Sequence, residues 1–238
     1  LYCFELISDS DFKQKVTRRV WEELVYPWGV ASLAQWDPQF HPQHENWHYY
    51  HKDDAYHNGT IWLWNNGEAM QRMIEYGQKE EAWKLFKNMN RQALHEGAVG
   101  SLSENADAHP REGQNWVNRS GTFLQAWSNA EHLRVWYQYF LGIRPDMLNG
   151  RIIIDPQLPA EVTSLETSVK IGGGTLHYKY SDGKVKINLE DIDAEVVIID
   201  GPAEDIDPSI FEGVQFCQPD PLESYPCFET YYETALTY

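Results

Sequence analysis

The sequence predicts a mainly α chain followed by a small antiparallel β module, on three observations. Apolar residues recur at helical spacing in four segments before residue 142. From residue 150 the pattern changes to short, β-branched, often alternating runs separated by Gly or Asp signals. Helical segments come first and strands afterwards, which argues against an alternating α/β layer. With 238 residues, 42% of them hydrophobic, the chain can bury a sizeable core.

The elements follow in order. Residues 10–25 place Phe12, Val16, Val20 and Leu24 four apart, one stripe on a helix. Residues 26–58 carry three prolines and no period, too long for an ordinary connector, and their eight aromatic residues argue against disorder. Helical patterns return over 59–76 and 78–96 and meet at Gly77, where glycine suits the left-handed turn that ends a helix. In the second of these, Ala82, Leu85, Phe86, Met89 and Ala93 share a face. After a loop over 97–120, a long helix is expected over 121–141, carrying Leu124, Trp127, Leu133, Trp136 and Phe140 and stopped by Gly142. RIIIDP, SLETSVKIG, GTLHYKYS, KVKINLE and AEVVIID then read as about five strands. The expected organisation is therefore helical hairpins over 1–149, the β module over 150–200, and an acidic, irregular tail over 201–238 packed on the β module.

The formal charge of −17 speaks against nucleic acid or an anionic membrane as partner, because both are held by clustered Lys and Arg. No run of about 18 apolar residues offers a membrane span. Cys3, Cys217 and Cys227 lack metal-ligand spacing and read as free thiols, although the last two are near enough to close a short loop. His41, His44, His48 and His51 crowd the long loop without a repeated ligand unit, so no metal is expected, and no cofactor either. The serine-elbow, zinc-protease and phosphate-loop motifs are all missing.

Ten Trp and fourteen Tyr leave two readings, buried packing or planar platforms for sugar rings. Three motifs favour the second. GSLSEN (100–105) places Glu104 in a loop between two helical patterns, and inverting hydrolysis of a glycosidic bond needs two carboxyl groups, one to protonate the leaving oxygen and one to take a proton from water. KDDAYHNGTIWLWNNGE (52–68) sets His57 and Asn58 beside Trp62 and Trp64, polar tips next to aromatic planes. GTFLQAWSNAEHLR (121–134) brings Gln125 and Trp127 into the first turns of a helix close after Glu104. Taken one at a time these residues have structural readings too: a solvated loop glutamate, an N-cap for Asn58, a core histidine for His57, packing for Trp62.

Taken together and in this order, WGVASLAQWDPQF, AYHNGTIWLWNNG, GSLSEN and GTFLQAWSNAEHLR resemble the C-terminal half of the glycogen debranching enzyme (amylo-α-1,6-glucosidase) family, over roughly residues 20–148. The resemblance implies the C-terminal part of an (α/α)6 toroid and inverting hydrolysis of α-linked glucosides. By it, Glu104 is the candidate general base, and His57, Asn58, Trp62 and Trp127 match pocket-lining positions. Trp64 and Gln125 join the substrate-binding set on position alone. The family's general acid belongs to an earlier hairpin, and the chain opens at Leu1 in residues that read as folded interior. A missing N-terminal toroid segment or another chain is the expected partner, with an oligosaccharide or polysaccharide as substrate. IWLWNNG replaces the family's more usual proline-containing run, which leaves the substrate open. A non-catalytic carbohydrate-binding protein, or a phosphorolytic or glycosyl-transferring enzyme, are the alternatives.

Overall fold

The computed structural model describes residues 6–199 and 206–228. The chain divides into two compact units, one of residues 1–132 with 205–238, the other of Leu133–Glu204.

In the first unit, helix α1 (Ser10–Leu24) starts where the Asp9 carboxylate accepts from the Phe12 amide at 2.9 Å, an N-cap that satisfies one of the free first-turn donors. Its buried face is Gln14, Thr17 and Trp21. The apolar stripe read from the sequence lies elsewhere: Phe12 is exposed, and Val16, Val20 and Leu24 wall surface hollows. Strands β1 (Val25–Tyr26) and β2 (Gly29–Val30) form a tight hairpin directly after α1. The long aromatic loop contains one further element, α2 (Lys52–Tyr56), capped by the His51 ring accepting from the Asp53 amide.

Strand β3 (Ile61–Trp62) pairs antiparallel with β4 (Asn105–Ala106), which pairs in turn with β5 (Arg119–Ser120). Helices α3 (Asn65–Glu75) and α4 (Lys79–His95) form a hairpin around Gly77, whose φ of +76° is the left-handed conformation glycine adopts without strain. Ala82, Leu85, Phe86 and Met89 of α4 are buried, with Gln92 completing the face in place of Ala93. Asn66 ties this pair to β2: its side-chain oxygen accepts from the Val30 amide at 3.0 Å and its amide donates to Met89 Sδ.

The described tail residues of this unit pack on it. Phe216 stacks on Trp21, Phe211 on Tyr76, and the Cys217 amide donates to the Val25 carbonyl at 2.9 Å. The expectation that the tail covers the β module is corrected accordingly: its described aromatic residues find ring partners in α1, at the end of α3 and in the long loop. Cys217 and Cys227 are free, and Cys3 lies outside the described residues.

Helix α5 (Ala126–Val135) continues as one π-helical turn, Trp136–Phe140, ended by Gly142 at φ +70°. In the second unit, β8 (Ser164–Ile171), β9 (Gly174–Ser181) and β10 (Lys184–Glu190) form an antiparallel meander. A separate sheet has the order β11-β7-β6, from β6 (Ile143–Asp146), β7 (Arg151–Ile154) and β11 (Glu195–Ile198).

Three expectations about the fold are overturned. No toroid is present among the described residues, where α3 and α4 form a single tight hairpin and the remaining chain contributes four small sheets. Residues 59–64 and 121–125, expected as helix, are instead committed to the β3-β4-β5 ladder and its flanks, which takes their backbone donors out of helical pairing. The β module is also not purely antiparallel. Strand β11 pairs parallel with β7, a pairing that needs a long crossover, and the whole β8–β10 meander supplies it.

Candidate functional site

The three-stranded ladder sets the site, all of it within the first unit. Glu104 immediately precedes β4, and its backbone is fixed on both sides: its amide donates to the Thr122 carbonyl at 2.8 Å and its carbonyl accepts from the Leu63 amide at 3.2 Å. The carboxylate is held at both oxygens. The Tyr56 hydroxyl donates to Oε1 at 3.3 Å and the Thr122 amide to Oε2 at 3.1 Å. Gly121, at φ +67°, lets the strand pass against this group, since a Cβ there would lie 2.7 Å from Oε2. A carboxylate has about four acceptor directions, so two remain for other donors. Glu104 is half-buried and makes no ion pair with an arginine among the described residues.

Tyr56 joins Glu104 to the aromatic cluster. Its ring lies 4.6 Å from Trp62, whose indole N–H donates to the Tyr56 carbonyl at 2.8 Å. His57 stacks on Trp62 with ring planes 1° apart. Trp127 then meets both Trp62 and Trp64, with centroids 6.3 and 6.2 Å away. Burial, and next the neighbouring Glu104 charge, raise the Tyr56 phenol, so it remains a hydrogen-bond donor. Behind it His44 stacks on Tyr56 at 5.1 Å and places Nδ1 2.6 Å from the Ser120 hydroxyl in β5, its ring held neutral because burial lowers its pKa.

Four of the seven sequence-predicted residues, His57, Trp62, Trp64 and Trp127, line one open cavity of about 450 Å3, together with Val20 and Leu24 of α1. Glu104 does not line it and reaches the cluster through Tyr56. Asn58 is turned to the backbone, its amide donating to the Asp54 carbonyl at 2.9 Å, and its own carbonyl accepts from His41. Gln125 precedes α5, with its amide donating to the Leu102 carbonyl at 3.0 Å, and is outside the cavity lining. The one carboxylate in the lining, Glu68, is paired with Arg72 at 2.8 Å. Sequence reading missed Tyr56, which stands next to His57 in the motif but is one aromatic among eight in its loop. Among the described residues no group of three or more His, Cys, Asp or Glu is arranged to hold a metal ion, and no helix is long and apolar enough to cross a membrane.

His57, Trp62, Trp64 and Trp127 thus give the cavity an aromatic wall, and the Glu104 carboxylate is joined to that wall through Tyr56. The family described as amylo-α-1,6-glucosidase matches residues 3–134, more than half of the chain and all of the motifs above, and the chain belongs to that family. No curated protein matches it.

Proposed function

We propose that this chain supplies the general-base half of an inverting glycoside hydrolase acting on α-glucosidic linkages of a glucan or related oligosaccharide. Glu104, unprotonated, takes a proton from a water that attacks the anomeric carbon on the face opposite the scissile oxygen, while a carboxylic acid from another segment, in the same polypeptide or a partner, protonates the leaving oxygen. The observation that carries this reading is the two-point hold on the Glu104 carboxylate, by Tyr56 and the Thr122 amide, next to the Tyr56–Trp62–Trp127 cluster. His57, Trp62, Trp64 and Trp127 offer ring faces to the C–H faces of the sugar, and Asn58 and Gln125 act by shaping the turns on either side.

The test is the stereochemistry of the first product. Proton NMR during hydrolysis of an α-linked maltooligosaccharide or a branched α-glucan should show β-glucose appearing before mutarotation; initial release of α-glucose would exclude a Glu104-activated water. A second reading, a carbohydrate-binding surface without turnover, is favoured by the pairing of Glu68 with Arg72, which leaves the cavity lining without an uncommitted carboxylate. Sugar binding by calorimetry with no hydrolysis in the same sample would select it.

A further inference from the structure

A second cavity, of about 750 Å3, lies among the end of α4, the 107–118 loop and β5, and gathers three of the chain's nine arginines, Arg91, Arg111 and Arg119. Two of them are already engaged. Arg91 lies 4.3 Å over the Trp116 ring and pairs with Glu96 at 3.3 Å; Arg111 reaches Asp107 at 3.4 Å and donates to the Glu45 carbonyl.

Arg119 differs. Among the described residues it has no carboxylate partner, and its recorded neighbour is the Phe123 ring at 5.9 Å. One end of its guanidinium comes up against Gly97, where a Cβ would collide with Nη1, so the bare glycine leaves room for the cation at this point of the wall. The wall also carries three carboxylates, Glu45, Glu96 and Asp107, the last two paired with Arg91 and Arg111, so Arg119 is the guanidinium left to meet an anion locally rather than through any excess of positive charge in the cavity. The other walls suit a sugar. Trp47 and Phe123 are 63% and 54% exposed and offer apolar faces, and the amide side chains of Asn115 and Asn118 offer partners for hydroxyls.

We infer that this cavity is a binding site for a carbohydrate bearing an anionic group, a phosphate ester or a carboxylate, with Arg119 as the ion-pairing residue. A planar guanidinium matches both anions in bidentate geometry. The inference stands apart from the role of Glu104, since neither Glu104 nor Tyr56 lines this cavity.

The test is calorimetric titration of the chain with glucose 6-phosphate, glucuronate, inorganic phosphate and maltotriose, repeated with Arg119→Gln and with Gly97→Ala, whose Cβ displaces the guanidinium while keeping the charge. At least one charged sugar should bind with a Kd of about 1 mM or tighter, weaken about tenfold or more in both variants and weaken further with added salt. Preference for glucose 6-phosphate assigns a phosphate ester, and preference for glucuronate assigns a uronic acid. The inference is overturned if neither charged sugar binds, if inorganic phosphate alone binds as tightly as the sugar phosphate, if maltotriose binds as tightly as the charged sugars, or if correctly folded Arg119→Gln, judged by an unchanged thermal midpoint, retains full affinity.

Discussion

The Tyr56 hydroxyl donates to Glu104 Oε1 at 3.3 Å, linking a residue at the end of α2 to one 48 positions later, immediately before β4. This bond and the Thr122 amide fix the direction of the carboxylate. Removing the hydroxyl should therefore act on turnover rather than on sugar binding. Tyr56→Phe keeps the ring against Trp62 and loses a hydrogen bond to a charged acceptor, about 1.5 kcal/mol, so kcat should fall about tenfold with KM little changed. Steady-state kinetics decides it; a rise in KM at constant kcat would place Tyr56 in sugar binding instead.

Gly121 gives a complementary test. In Gly121→Ala the new methyl would sit 2.7 Å from Glu104 Oε2 and 3.1 Å from its Cβ, so the carboxylate must move. The positive φ costs about 1 kcal/mol, a small fall in thermal midpoint, while kcat should drop more steeply than stability. Activity equal to wild type would show that the position of the carboxylate does not matter.

Trp127 is 45% exposed in α5 and meets Trp62 and Trp64 across the first cavity. Trp127→Ala should weaken maltooligosaccharide binding by about 1 kcal/mol or more, several-fold in Kd, with little effect on folding. Calorimetry measures this directly, and unchanged affinity would remove the cavity from sugar recognition.

His109, like His132, makes stability depend on pH. Its ring is buried among Tyr26, Phe40 and Tyr225, and burial pushes its pKa down to about 4. The unfolded chain takes up this proton near the ordinary value of 6.5 and the folded chain near 4. The stability it contributes is therefore complete above pH 6.5 and is lost as pH falls towards 4, on the order of 3 kcal/mol in total. Asp107, pushed up to about 6 by burial, works in the opposite direction as pH falls from 6 towards 3.8. Comparing His109→Phe with wild type in urea melts at each pH isolates the histidine: the difference in stability should shift in favour of the variant between pH 6.5 and 4, and a constant difference would contradict its burial as a neutral ring.

Much of this architecture follows patterns local to the sequence, and what escaped depends on distant partners. The α4 stripe from Ala82 to Met89 and the turn at Gly77 are legible because helix period and glycine conformation are local. On α1 the period is right but the face is not. Gln14 is drawn inward by tail residues nearly two hundred positions away, accepting from the Asp207 amide, while Val20 and Leu24 are left to wall the cavity. Strands of two residues, such as Ile61–Trp62, carry no period at all and exist only because Asn105 and Ala106 lie opposite. The parallel pairing of β7 with β11 is likewise a matter of long-range register. In the site, motif order brings His57, Trp62, Trp64 and Trp127 to one cavity, whereas Tyr56 acquires its role only when β4 brings Glu104 against it.

The central claim is that Glu104 moves the proton of the attacking water, and Glu104→Gln tests it most directly. The amide keeps the size of the side chain and an acceptor for Tyr56 but cannot take a proton. With the chain as encoded in its gene, turnover of an α-linked oligosaccharide should fall about 100-fold or more while calorimetric affinity for the same sugar stays within about twofold. Turnover at the wild-type level would contradict the account.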